Sequence, residues 1–432
     1  MEILFINALM HIVILIYAWK KYGFGLYTFL WMYYSLFSVL GIIVVLNGVY
    51  FNEVKTLNKE LSIIPYIINF VCLYLLLLPL RKISINKIEI PSIQYLDKLR
   101  PIVRVLFFFY AIYLVERLYE LSLMSSLSMV ERYEMIAGEG ELVTNNVALI
   151  IIRRICGLVY FSTFPFSMFY ILCYIIKKQQ TKIRLKHPYG LLPLCMLPYV
   201  VICMVSANRS QLYFLALRGF FFLFLFFQYF SAKAKRRIIS ISILCAVSII
   251  YIALAISISR FETTSSSPFE SILRYFGETY PNLGYVYWNR VTNHPMGLNL
   301  YPNLYAFLTG NSLSDTGAGF FEKYSFWESF TGVPVLYFKS IFASLYIEFG
   351  TIGAVLIILF IYKMMNAYVR CNNNLTFLSV PIIYYYFIVC CKSVIGYPFP
   401  LKELQILCAT ICFLFIINRQ FKLKRIINTN RI

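Results

Sequence analysis

Apolar runs of about 20 residues recur along the whole length of this chain, and each is long enough to cross a bilayer as a helix. Eleven segments can be marked, at roughly 3–19, 24–51, 61–80, 101–123, 147–176, 191–206, 211–230, 238–258, 337–362, 375–391 and 403–418. A chain of 432 residues that is 60% hydrophobic and 13% charged cannot hide that surface in a soluble fold. The expected fold class is therefore an all-α polytopic membrane protein with about eleven transmembrane helices, or twelve if one segment has been missed. The first run lacks a charged leader and a small-residue cleavage site, so it reads as a retained helix and not a signal peptide.

Charge placement sets the expected orientation. Alternate loops carry 24 and 10 Lys and Arg residues. The richer set belongs in the cytoplasm by the positive-inside rule. The N-terminus then lies outside, the basic tail after the last helix lies inside, and residues 259–336 lie outside. The net charge of +20 reflects topology and contact with anionic lipid, not nucleic acid. No cytoplasmic loop can house a nucleotide-binding domain, and no phosphate-binding glycine motif is present. Eleven cysteines fall in or beside helices or in cytoplasmic loops, without a C-x-x-C pair, and read as small apolar filler. No metal site or cofactor is expected.

Residues 259–336 form the one long stretch too polar to cross. They divide the chain into helices one to eight (1–258), the large loop (259–336), and helices nine to eleven with the basic tail (337–432). The loop holds 17 aromatic residues in 78, together with Arg260, Arg274, Arg290 and His294. Rings beside arginines and amides suit sugars and phosphates. Ser267-Pro268-Phe269-Glu270 reads as a helix start, with a capping serine and proline at the first helical position. The short amphipathic helix that follows, stopped by Pro281, lies either at the membrane surface or on the protein's own rim. Beyond it, Tyr285 to Gly319 reads as irregular loop.

Charges within helices crowd the outer half of the membrane. Glu116 and Glu120 share a helix face. Arg153 and Arg154 lie near the outer end of the fifth helix, and Arg218 shares a face with Gln211. Arg209 sits in the tight turn Ser206-Ala207-Asn208-Arg209-Ser210, while Lys339 and Lys392 sit at helix ends. Buried charges usually line a cavity, so this pattern points to an anionic ligand reached from outside. Lys339 and Lys392 could equally snorkel to the interface, and Glu116–Arg117 could simply pair.

The layout, with the Ser206–Ser210 turn, Ile258-Ser259-Arg260-Phe261 and Gly277-Glu278-Thr279-Tyr280-Pro281-Asn282, resembles the Wzy family of O-antigen and oligosaccharide repeat-unit polymerases. Members are bacterial inner-membrane proteins with many helices and one large periplasmic loop late in the chain. The resemblance implies a glycosyltransferase that moves a growing glycan from undecaprenyl pyrophosphate onto a lipid-linked repeat unit, without metal or nucleotide. It implies catalytic roles for Arg209, Arg260, Arg290 and His294. Arg153, Arg154, Arg218, Arg274, Tyr280, Trp288, Trp327 and Lys392 would bind substrate. Implied partners are the lipid-linked oligosaccharide, membrane lipid, a Wzz-type chain-length regulator and a Wzx-type flippase. Two other classes stay open: an O-antigen ligase that delivers the glycan to lipid A core, and a lipid-linked oligosaccharide flippase or transporter. His294 is either the general base or a bystander to a reaction carried by arginines around a good leaving group.

Overall fold

A computed structural model describes residues 1–48, 61–83, 88–128, 131–132, 135, 146–181, 191–206, 209–261, 268–299, 308, 320–335, 338–371, 374–394 and 401–429. Among the described residues it is a helical bundle without a strand. Its long helices are α1 (Glu2–Tyr22), α2 (Leu26–Leu46), α3 (Ile64–Arg81), α4 (Ile93–Leu123), α5 (Val147–Thr181), α6 (Leu191–Ser206), α7 (Arg209–Phe226) and α8 (Ala232–Phe261). They continue with α9 (Pro268–Gly277), α10 (Phe320–Thr331), α11 (Ile341–Cys371), α12 (Ser379–Lys392) and α13 (Leu401–Thr429). Each of the apolar segments marked in the sequence overlaps one of these helices.

Among the described residues, six helices are long and apolar enough to cross a membrane: α1, α2, α3, α5, α7 with the turn that follows it, and α11. The chain is thus a multi-pass helical membrane protein. Apolar helices α6 and α12 have only 16 and 14 residues. At 1.5 Å per residue they fall short of a full hydrocarbon core. Helix α4 is long enough but carries Glu116, Arg117 and Glu120 in its second half.

The core is unusually rich in tyrosine, and the reason is chemical. A buried phenol needs a hydrogen-bond partner, and helix carbonyls have a second lone pair to offer. Tyr34 donates to Cys390 O at 2.7 Å, Tyr33 to Cys391 O at 3.0 Å and Tyr160 to Cys195 O at 2.6 Å. Tyr386 reaches Leu76 O in the same way. These bonds tie α2 to α12, α5 to α6 and α12 to α3.

The described parts of the long loop pack against the bundle. Helix α9 forms where expected and packs on the protein's rim: Leu273 is buried with Val44, and Phe276 lies 5.6 Å from Phe37 and 5.5 Å from Tyr213. Contrary to expectation, the helix does not end at Pro281. A further turn, Thr279–Asn282, leads into a π-helical turn, Leu283–Tyr287. Pro281 is tolerated because it falls in the first turn of the restarted helix, where its missing N–H has no partner to lose. Residues Thr279 to Asn282 are all buried and are satisfied by the bundle. Asn282 Nδ2 donates to Phe338 O at 2.8 Å, Thr279 donates to Val394 O, and Tyr66 donates to Tyr280 O at 3.1 Å. Tyr280 itself is 1% exposed, with its hydroxyl 3.1 Å from Nε2 of His11, nearly half-way along α1. Tyr280 is therefore an anchor of this inserted segment and not the substrate-binding residue expected.

Gly277 marks the tightest point of that insertion. A Cβ there would lie 2.4 Å from Val44 Cγ2 and 2.7 Å from the Leu40 carbonyl oxygen. Backbone cannot yield as a side-chain tip can, so Gly277→Ala is expected to destabilise the fold by about 1–3 kcal/mol. Thermal unfolding in detergent checks this: the variant melts earlier, whereas an unchanged melting curve would place α9 off the bundle.

Candidate functional site

The site is built where the loop returns past a break in α11. Gly350 has φ 69° and ψ −177°, so the helix is interrupted inside its apolar run. A break of this kind leaves carbonyls of the preceding turn without their usual partners. The loop supplies replacements. His294 Nδ1 donates to Ile347 O at 2.9 Å, and Met296 N donates to Glu348 O at 2.8 Å. The Glu348 carboxylate, itself buried, accepts from Gly297 N at 3.1 Å and Asn299 Nδ2 at 2.7 Å. Asn289 and Met296 adopt positive φ of 58° and 56° to make these turns. Neither is glycine, so their conformations cost energy that the surrounding hydrogen bonds must offset.

Aromatic rings brace the same segment. Trp288 stacks on Tyr346 at 5.3 Å and 28°, and the His294 ring meets Tyr346 edge-on at 5.9 Å. Asn289 N donates to the Tyr346 hydroxyl at 3.3 Å. Farther along, Thr292 N donates to Thr331 O and Asn293 Nδ2 to Phe330 O, both at 2.9 Å, which caps the end of α10. Ring and backbone of His294 are thus both held.

This geometry fixes the chemistry available to the exposed His294. A carbonyl only accepts, so Nδ1 carries the proton and the neutral ring presents a lone pair at Nε2. Nε2 lies beside Gly350, where a Cβ would come within 3.3 Å. The glycine that breaks the helix also leaves room next to the basic nitrogen. Four residues before His294, Arg290 is half-exposed, and its guanidinium has no partner among the described residues. A base, an available cation and a stacked indole therefore occur within seven residues. Behind them, Lys339 is 1% exposed, donates to Val335 O and lies 5.9 Å from the Tyr287 ring, so it does not snorkel.

The helix arginines divide differently from expectation. Arg153 Nε lies 2.6 Å from Glu116 and its Nη1 lies 3.1 Å from Glu120, while Arg117 lies 2.5 Å from Glu120 and 3.6 Å from Glu116. All four are buried, and together they are neutral. Arg153 is consequently engaged by carboxylates and does not present a charge to an anionic substrate. Arg154, one position on, is exposed on another face of α5.

Arg218 is buried with its guanidinium carbon 4.0 Å from the centre of the Tyr199 ring. A run of mutually tilted tyrosines connects the two clusters: Tyr199–Tyr160 at 5.2 Å and Tyr160–Tyr113 at 5.3 Å, with Arg117 5.2 Å from Tyr113. Lys392 is half-buried, 5.3 Å from the Phe214 ring and one helical turn from Arg218 on α7. The next residues of the chain join this region to the loop, since Ser393 O accepts from Ile341 N at 2.7 Å and Val394 O accepts from Thr279.

Of the residues singled out in the sequence, the structure brings Trp288 and His294 together on Tyr346, with Arg290 between them in the chain, and sets Lys392 on the Phe214 ring, one helical turn from Arg218. Two further expectations are corrected. Arg274 is held by Glu278 at 2.6 Å, in an i,i+4 pair where burial raises the carboxyl pKa and Arg274 opposes the rise. Trp327 is 3% exposed and packs beside Phe326 and Phe330, so it fastens α10 and faces no ligand. Arg209 begins α7 and Arg260 lies near the end of α8, but their side chains lie outside the described residues. Site roles for Tyr346, Glu348 and Gly350 were missed; the signal was a carboxylate and a glycine two residues apart inside an apolar run. No protein-family model, curated protein or solved structure matches this chain.

Proposed function

We propose that this chain is a membrane glycosyltransferase of the O-antigen polymerase type, working at the outer face of a bacterial inner membrane. The observation that carries this reading is the locked His294 ring, with Nε2 open beside Gly350 and with Arg290 and Trp288 alongside. In the reaction, a hydroxyl oxygen of the lipid-linked repeat unit forms a bond to C1 of the donor sugar. The bond from C1 to the undecaprenyl pyrophosphate oxygen breaks, and the pyrophosphate leaves with the electron pair. Arg290 stabilises that developing charge, as fixed cations do in low-dielectric sites. Trp288 offers a face to a sugar ring, and His294 Nε2 receives the hydroxyl proton. Arg209 and Arg260 join Arg290 through the family resemblance.

His294→Ala is expected to lower the polymerisation rate by about 10²–10⁴-fold, the usual contribution of a positioned base. His294→Asn separates chemistry from scaffolding. Its amide can still donate to Ile347 O but offers no basic atom, so the rate stays low although the loop holds. A rate restored by asparagine would reduce His294 to a structural role.

The break in α11 favours a second reading, since transporters place discontinuous helices at their substrate sites. Deleting the gene and resolving lipopolysaccharide on a gel decides between them. A polymerase mutant shows a single repeat unit on lipid A core. Bare core would instead indicate a flippase or an O-antigen ligase.

A further inference from the structure

The end of the bundle away from the loop carries a second cluster, unrelated to the proposed reaction. There α1, α3 and α11 finish together. Lys21 Nζ donates to the Tyr17 hydroxyl at 2.7 Å and sits 5.1 Å and 5.7 Å from the ring centres of Tyr17 and Tyr22. Arg81 Nη1 donates to the Tyr22 hydroxyl at 3.2 Å and lies over the same ring at 5.5 Å. Lys82 Nζ donates to Asn366 Oδ1 at 2.7 Å, from the last turns of α11, which also carry Arg370. No carboxylate joins Lys21, Arg81, Lys82 or Arg370 in an ion pair among the described residues.

Cations gathered here by phenols and an amide, without a carboxylate partner among the described residues, favour an anion from elsewhere. Desolvation, then Arg370 and Arg81, pull the Lys82 ammonium below its ordinary pKa, which agrees with cations crowded together. The neighbouring surface says what kind of anion fits. Tyr17, Trp19, Tyr22 and Phe24 are exposed, as aromatic residues are at a membrane interface. From them, Ile16, Val13, Leu9 and Phe5 continue along α1 at spacings of three and four residues, all about half exposed. That is one apolar stripe on one helix face. A phosphate at the cluster would leave acyl chains lying along this stripe.

We propose that Lys21, Arg81, Lys82 and Arg370, framed by Tyr17 and Tyr22, form a binding site for the phosphate headgroup of an anionic glycerophospholipid whose acyl chains lie on α1. The tyrosines hold Lys21 and Arg81 in place before the lipid arrives, which lowers the ordering cost of binding.

Full-length protein in nanodiscs of phosphatidylcholine doped with phosphatidylglycerol, released for native mass spectrometry, provides the test. The wild type is expected to retain phosphatidylglycerol in preference to phosphatidylcholine, and millimolar inorganic phosphate is expected not to displace it. Lys21→Gln, Arg81→Gln and Lys82→Gln should each weaken retention by about fivefold, and the triple variant by on the order of a hundredfold. All three positions are exposed, and unchanged melting of the variants confirms the fold. Displacement by inorganic phosphate would make the site one for free anions and overturn the lipid assignment. Equal retention of both lipids, or undiminished phosphatidylglycerol on the folded triple variant, would overturn the site itself.

Discussion

Replacing Arg290 by alanine is expected to cripple the proposed glycan polymerisation while the protein inserts and melts as the wild type does. Arg290 is half-exposed and has no partner among the described residues, so its removal leaves no buried group unsatisfied. What it takes away is a cation placed four residues from His294 and two from Trp288. Losing one such group from a site that stabilises developing charge costs about 10²–10³ in rate. Arg290→Lys is expected to recover only part of this, because a compact ammonium lacks the planar fork that meets two phosphate oxygens at once. Normal ladders from Arg290→Ala at wild-type protein levels would remove Arg290 from the site. Arg209→Ala is expected to behave likewise, on the strength of its place in the turn that resembles the polymerase family.

Arg153→Ala should give the opposite pattern, a large loss of stability. Glu116 and Glu120 are 6% and 2% exposed, and with Arg153 removed only Arg117 is left to face two buried carboxylates. Breaking a buried ion pair in this way costs about 3–5 kcal/mol. Replacing all four members by apolar residues of similar volume is expected to be close to neutral, since no unpaired charge remains. Arg154→Ala, on the exposed face of the same helix, leaves the melting curve unchanged. Thermal unfolding in detergent distinguishes the three variants. A neutral Arg153→Ala paired with a loss of activity would return Arg153 to the substrate-binding group from which the tetrad removes it.

The contrast between these arginines shows what composition and spacing convey. Apolar runs locate the helices because hydrophobic length is a local property. That Glu116 and Glu120 share a face was legible from their four-residue spacing. Their pairing with Arg153 was not, because it depends on how α4 packs against α5. Similarly, Pro281 reads as a stop by local rules, yet here it lies inside a new turn, Thr279–Asn282, whose polar groups bond to His11 on α1, Tyr66 on α3, Phe338 and Val394. The break at Gly350 falls two residues after Glu348 in an otherwise apolar stretch, and that pair alone does not specify an interrupted helix. His294 and Arg290 were legible by chemistry alone, as a histidine and an arginine in an aromatic loop. Their proximity to Trp288 was legible from sequence order. What the structure adds is the ring's tautomer, set by Ile347 O, and the space left by glycine beside Nε2.

On the proposed function, this chain itself joins lipid-linked repeat units. Purified full-length protein, reconstituted with an undecaprenyl-pyrophosphate-linked repeat unit and no nucleotide or added metal, tests it most directly. The wild type is expected to give a ladder of products increasing by whole repeat units, with released undecaprenyl pyrophosphate in equal number to the bonds formed, and His294→Asn and Arg290→Ala are expected to give no ladder. Wild-type protein that leaves the repeat unit unextended, or that moves it across a vesicle membrane without extending it, would contradict the account.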